Sequence, residues 1–216
     1  MSPEPVKSEP VESGPAISVL LADDETLIRD ALATLIGLEA ELEVIAVAAS
    51  GTEAVAAARR YRPRVALLDL QMPGLDGIAV AERLRTDLPD CACVILTSHG
   101  RPGYLKQALA AGVRGFLPKS VSARDLSTAI RTVAAGGRYV DPQLAAEAIG
   151  AGDSPLSARE ADVLALAADG SPIEEIAQRV SLSVGTVRNY LSAAVSKLGV
   201  ANRHEAVHRA RERGWI

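Results

Sequence analysis

Five short apolar runs, each followed by a stretch of helical periodicity, constrain this chain more than any other feature. The runs are "ISVLLA" from Ile17, "LEVIAVAA" from Leu42, "RVALLDL" from Arg64, "CACVILTS" from Cys91 and "VRGFLP" from Val113. Near-continuous Val, Ile and Leu over so few residues is how a strand buried on both faces reads. Between them, "ETLIRDALATLIGLE" places Leu27, Ile28, Ala31, Leu32, Leu35 and Ile36 at helical spacing. "GTEAVAAARRY", "DGIAVAERLRTD", "GYLKQALAAG" and "SARDLSTAIRTVAAG" repeat that spacing, the last with Ser122 placed to cap its N-terminus. Alternating strands and helices require crossover connections. The predicted fold over residues 16–137 is therefore a (βα)5 doubly wound parallel sheet with helices on both faces, an α/β domain.

The pattern changes after Gly136 and Gly137. "RYVDPQLAAEAIGAGDSP" holds a short helix between Pro/Gly breaks and reads as a linker over 138–154. Only helical patterns follow, from 155 to 216, which predicts a small all-α domain of four helices. Ser157, Ser171 and Ser183 stand where three of those helices would take their N-caps. Residues 1–15, rich in Pro, Glu and Ser, are expected to be disordered. They lack the basic-then-apolar layout of a signal peptide, and no apolar run nears the roughly 18 to 20 residues of a membrane span. A cytoplasmic protein is expected. Cys91 and Cys93 read as reduced thiols at a strand start, since a C-x-C pair is at best half a metal site.

In an open parallel sheet, functional groups collect beyond the carboxyl ends of the strands. Asp23 and Asp24 follow the first strand here, Asp69 closes the third, Thr97 and Ser98 close the fourth, and Lys119 follows the fifth. Three carboxylates brought together repel one another unless a cation sits among them, and an all-oxygen site with room for water suits Mg²⁺. A carboxylate beside Mg²⁺ is equipped to accept a phosphoryl group, with Lys119 and Thr97 binding its oxygens. Asp69 is thus the expected phosphoacceptor. Asp76, in the same loop, is expected only to cap the next helix.

The helical half is polarised in charge. Residues 151–175 hold Arg159 against six acids, whereas 176–216 hold seven basic residues against two acids. A local basic face is what phosphate binding needs, whatever the net charge of −4. "PIEEIAQRV", then "SLS", then "VGTVRNYLSAAVSKLGV" has the layout of a helix-turn-helix. Val187, Leu191, Ala194, Val195 and Leu198 form an inward stripe on its second helix. Arg188, Asn189 and Ser192 fall opposite, free to enter a major groove, and Arg and Asn are suited to guanine and adenine. Thr186, Tyr190, Lys197 and Arg203 are placed for phosphate contacts.

The pieces "ADD", "LLDLQMPGLDG", "LTS" and "FLPK", in that order, resemble the receiver domains of two-component response regulators. "LSAREADVLALAADG" followed by "EEIAQRVSLSVGTVRNYLSAAVSKLGVANRHEAV" is similar to the LuxR-type DNA-binding domain of the NarL/FixJ family. "GTVRNYLSAAVSKLG" with the terminal "GWI" resembles the DesR branch of that family. The resemblance implies Mg²⁺ ligands at Asp23, Asp24, Asp69 and the backbone carbonyl of Gln71, with Asp24 the more direct of the acidic pair. It also implies a switch in which Phe116 turns inward as Thr97 moves, a sensor histidine kinase as phosphodonor, and a homodimer formed through the first and fifth helices. Family members often carry Lys at the position of Arg188 and His at that of Tyr190, so operator preference does not transfer.

The resulting expectation is a transcriptional regulator that takes phosphate on Asp69, dimerises and binds double-stranded operator DNA. It would be no enzyme beyond its own Mg²⁺-dependent phosphorylation and dephosphorylation. The main rival is a DNA binder indifferent to phosphate and governed by ligand or abundance; a phosphate sink acting through protein contact is another. A Mg²⁺-dependent phosphatase would need a second acid two residues after Asp69, where this chain has Gln71.

Overall fold

A computed structural model describes residues 15–98, 102–150, 154–213 and 215–216. Residues 1–14, most of the extension expected to be disordered, lie outside the described residues.

The five expected strands form as β1 (Ile17–Ala22), β2 (Leu42–Ala48), β3 (Val65–Asp69), β4 (Ala92–Thr97) and β5 (Gly115–Pro118), all parallel. A sixth, β6 (Tyr139–Val140), extends the order to β2-β1-β3-β4-β5-β6. Its two residues carry no hydrophobic run, so the sequence places them in the linker. What holds them is backbone pairing: Tyr139 N–H donates to Arg114 O at 2.9 Å and Asp141 N–H to Phe116 O at 3.0 Å.

The period of two along each strand sorts side chains between two cores. Val19, Leu21, Leu67, Leu96 and Leu117 pack against α1 (Thr26–Gly37) and α5 (Ala123–Ala134), where Leu32, Ile36, Leu126 and Ile130 meet them. Leu20, Leu68, Ile95 and Phe116 pack on the opposite side against α2 (Gly51–Tyr61), α3 (Gly77–Asp87) and α4 (Pro102–Ala110). The short helix expected in the linker, α6 (Pro142–Gly150), lies on α4 and adds Leu144 and Ala148 to this second core. Ser122 caps α5 as expected, its hydroxyl accepting the Asp125 N–H at 3.1 Å.

The helical half comprises α7 (Ala158–Leu166), a 3₁₀ turn (Ala167–Asp169), α8 (Ile173–Arg179), α9 (Val184–Leu198) and α10 (Arg203–Glu212). They enclose a separate core that includes Leu164, Ile176, Val187, Ala194 and Ala206. Of the expected stripe on α9, Val187, Leu191, Ala194 and Leu198 are buried and Val195 partly so. Ser157 and Ser183 cap α7 and α9 through the N–H groups of Glu160 and Thr186. Ser171 does not cap α8. Pro172 takes the N-cap position with φ −58° and ψ 150°, which moves Ser171 one residue too far out. Glu174 and Glu175 in the first turn answer the helix dipole instead.

Candidate functional site

The strand ends converge as the topology requires. Asp69 is the last residue of β3, and Asp23 and Asp24 leave β1 alongside it. Ligand oxygens of the three lie within 4.8 Å of one another. Asp23, Asp69 and Thr97 are buried at 1%, 5% and 2% exposure, whereas Asp24 is exposed. Lys119 Nζ reaches in from the end of β5 to 2.9 Å from Asp23 Oδ2 and 3.2 Å from Asp69 Oδ1. It also donates to Glu25 Oε1 at 3.1 Å, a partner not anticipated from the sequence. The signal for Glu25 was nonetheless present, as the third acid of "DDE".

The loop after β3 turns sharply to clear the carboxylates. Gly74 takes φ +79°, an ordinary conformation only for glycine. At Gly77 a Cβ would stand 2.3 Å from the Asp69 carbonyl oxygen, so the loop can close against β3 only with hydrogen there. Asp76 caps α3 by accepting the Ala79 N–H at 2.9 Å, as anticipated.

Burial pushes the Asp69 carboxyl up to about 6; Lys119 opposes this, and Asp23 and Asp24 reinforce it. Burial alone would lower the Lys119 ammonium, but Asp23, Asp69 and Glu25 together hold it up to about 12. Lys119 alone faces three acids at this site, Asp23, Glu25 and Asp69. Asp23 Oδ2 lies near the ammonium without hydrogen-bond alignment, so part of its coordinating capacity is open. These donors fit a hard, oxygen-preferring dication such as Mg²⁺. Asp23, Asp24 and Asp69 would hold it, and it would neutralise the cluster and polarise a bound phosphoryl group.

Phe116 is wholly buried, at 0% exposure. It points to the α3–α4 side of β5 and shares that core with Ile95, Tyr104 and Leu105. The expected inward turn therefore begins from a ring that is already inside.

A second set of residues joins the two halves of the chain, and no periodicity announces it. The Tyr104 hydroxyl, on α4, donates to Asp162 Oδ2, on α7. Gln71 Nε2 donates to the same oxygen at 3.4 Å. Tyr104 and Asp162 are both nearly inaccessible, at 3% and 5%. Burial, then the Asp162 charge, pushes the Tyr104 phenol far above its ordinary value, so it remains a donor at any physiological pH. Arg159 Nη2 lies 3.8 Å from Asp76 Oδ2, and Ala158 joins the core beneath α4. The outcome is a cavity of about 350 Å³ over the acidic cluster. Asp24, Asp69, Thr97 and Lys119 line one side; Arg159, Arg179 and Ser181 of the helical half line the other.

On α9 the side chains of Arg188, Asn189 and Ser192 are exposed. Arg188, Ser192 and Arg203 border one groove of about 480 Å³ between α9 and the start of α10. Thr186 shares a 2.8 Å hydrogen bond with Ser183, and Tyr190 is half-buried against the helical core. Lys197 donates to Glu160 Oε2 at 2.8 Å, so its charge is partly engaged within the domain. Burial works against ionisation of Glu160, but that lysine and the Ser157 N–H hold its carboxyl below the ordinary range.

Residues 19–131 match the family "Response regulator receiver domain" and residues 154–210 the family "Bacterial regulatory proteins, luxR family". The transcriptional regulatory protein DesR of Bacillus subtilis is 41% identical over 200 residues, covering 93% of this chain and 99% of that protein. UhpA of Salmonella typhimurium is 37% identical, covering 92% and 100%. Among solved structures, the response regulator ChrA of a heme-sensing two-component system aligns with TM-score 0.56 and 29% identity, over 93% of this chain and 99% of ChrA. The chain belongs to the NarL/FixJ family of response regulators. It is a transcriptional regulator in which a receiver domain precedes a LuxR-type DNA-binding domain. None of the described helices is long and apolar enough to cross a membrane.

Proposed function

We propose that this protein is a phosphorylation-controlled transcription factor that accepts phosphate on Asp69 from a sensor histidine kinase. The observation that carries the reading is the convergence of Asp23, Asp24 and Asp69 within 4.8 Å, with Lys119 bridging two of them. Mg²⁺ held by these carboxylates and the Gln71 carbonyl would neutralise the incoming group. Lys119 and Thr97 would then bind the phosphoryl oxygens. Thr97 and Phe116 would transmit the change to the α4 side of the sheet, shifting a two-state balance by the difference in phosphate's interaction with each state. Residues 16–137 would act as the receiver and 155–216 as the DNA-binding domain, joined by 138–154, with the protein working in the cytoplasm.

On DNA, Arg188, Asn189 and Ser192 would read bases. Thr186, Tyr190, Arg203 and Lys197 would contact phosphates, Lys197 by exchanging Glu160 for DNA. Dimerisation through α1 and α5 is supported by the apolar side chains α1 leaves in solvent, Leu27 at 83% exposure and Leu35 at 39%. Two recognition helices on a two-fold axis would fit half-sites about one helical turn apart.

The test compares wild type with Asp69→Asn, each incubated with Mg²⁺ and acetyl phosphate, by intact mass and light scattering. One added phosphate with a shift to dimer, both absent from the variant, is the expected result. Phosphate on the variant would sink the assignment of Asp69; none on wild type from either acetyl phosphate or phosphoramidate would leave transfer from a kinase to test and favour the reading of a DNA binder indifferent to phosphate.

A further inference from the structure

We infer that the closed chain contains a composite anion site, shared by its two domains, in which Arg159 and Arg179 of the DNA-binding domain bind a small acyl phosphate against Asp69. The inference rests on the reading of Asp69 as phosphoacceptor and names the class of donor that the closed form admits.

Three observations lead to it. First, one cavity is lined by the acceptor side, Asp69, Thr97 and Lys119, and by Arg159 and Arg179 from the other domain. Second, these guanidiniums are lightly engaged among the described residues: Arg179 is exposed and makes no ion pair with any of them, and the ion pair of Arg159 with Asp76 is long, at 3.8 Å. The cavity therefore pairs a carboxylate cluster that wants a cation with two cations that want an anion. An acyl phosphate bound with Mg²⁺ would satisfy both. Third, the cavity holds about 350 Å³, at the small end of ligand clefts. A small phosphodonor fits there with the domains docked.

The hydrogen bonds of Tyr104 and Gln71 to Asp162 hold this arrangement in place. They keep α7, and with it Arg159, over the acidic cluster. In the reaction a carboxylate oxygen of Asp69 attacks phosphorus. The bond from phosphorus to the acyl oxygen breaks, and acetate leaves carrying that oxygen and its electron pair. Charge balances without a proton.

The experiment follows phosphate incorporation by intact mass as acetyl phosphate is varied at fixed, saturating Mg²⁺. It compares wild type, Arg159→Gln/Arg179→Gln, Tyr104→Phe, and Arg83→Gln as a control for removal of surface charge. The double variant is expected to need roughly tenfold more acetyl phosphate for half-maximal rate, with the maximal rate little changed. Tyr104→Phe should move the half-saturating concentration in the same direction, and combining it with the arginine changes should add little. Arg83→Gln should behave as wild type. An unchanged concentration dependence in the double variant, or faster labelling of Tyr104→Phe at low donor, would overturn the composite site while leaving Asp69 as acceptor. No labelling of wild type would likewise overturn the composite site, whereas labelling of Asp69→Asn would overturn the reading of Asp69 as acceptor.

Discussion

Asp69 shows how burial sets chemistry at a single residue. Its carboxyl is raised from 3.8 to about 6 because desolvation outweighs the attraction of Lys119. A raised folded-state value means that the folded form holds the proton more tightly than the unfolded chain. Stability is thus lost as pH climbs from 3.8 to 6, and the full cost remains above that window. The shift sets a ceiling of about 3 kcal/mol on that cost, at 1.36 kcal/mol per unit. In chelator, Asp69→Asn should therefore melt higher than wild type at pH 7.5, by less than this ceiling because the pull of Lys119 is lost with the charge. Near pH 4 the two should melt together. Thermal unfolding at both pH values checks the sign, and a gap that does not change with pH counts against it. Mg²⁺ should raise the melting temperature of wild type far more than that of the variant, since a ligand at 100 times its dissociation constant adds about 2.7 kcal/mol.

At the scale of elements, α4 and α7 carry the link between the two halves. Removing the phenol leaves Asp162 buried with one donor fewer, and hydrogen bonds to charged groups are worth about 1.5–3 kcal/mol. Tyr104→Phe should weaken the domain contact by about that amount. Hydrogen exchange should speed up in the first turn of α7, while the strands of the sheet keep their protection. Equal loss throughout the chain would mean that Tyr104 supports the receiver core instead. The other end of the same helix turn tests a different force. Ser157 and Glu160 form a capping box, with Ser157 N–H donating to Glu160 Oε2 at 2.7 Å. Ser157→Ala should cost the helical half about 1 kcal/mol, read from its urea midpoint. Serine promoted capping at Ser157 and Ser183 but not at Ser171. A hydroxyl can cap only from the residue adjoining the first turn, and Pro172 occupies that place.

Over the whole molecule, the exposed polar face of α9 and the cavity over the acidic cluster stand on different surfaces of the helical half. Arg188, Asn189 and Ser192 lie exposed on α9, whereas Arg179 and Ser181 line the cavity shared with the receiver. Arg188→Ala and Asn189→Ala should each weaken binding to a selected operator about tenfold to a hundredfold, the worth of one base contact, and relax selectivity at one position. Arg203→Ala should weaken binding to all sequences alike and lower the salt dependence by about one ion. Gel-shift titration at two salt concentrations separates these outcomes. A base-reading variant that loses affinity equally on every sequence would reassign that residue to the phosphates.

By itself the sequence determined everything that depends on local period and chain order. Five buried runs separated by helical stretches leave only a parallel sheet, and strand ends in such a sheet bring Asp23, Asp69, Thr97 and Lys119 together whatever the loops contain. The apolar stripe of α9 placed Arg188, Asn189 and Ser192 outward for the same reason. Contacts between segments distant in the chain were decided only by tertiary structure. β6 exists because Arg114 and Phe116 offer carbonyl oxygens to a segment with no strand pattern of its own. The Tyr104–Asp162 bond, 58 residues apart in sequence, and the cavity that Arg159 and Arg179 line together with Asp69 arise from how two separately cored domains dock. Such docking uses few side chains at no regular spacing, and periodicity carries no trace of it.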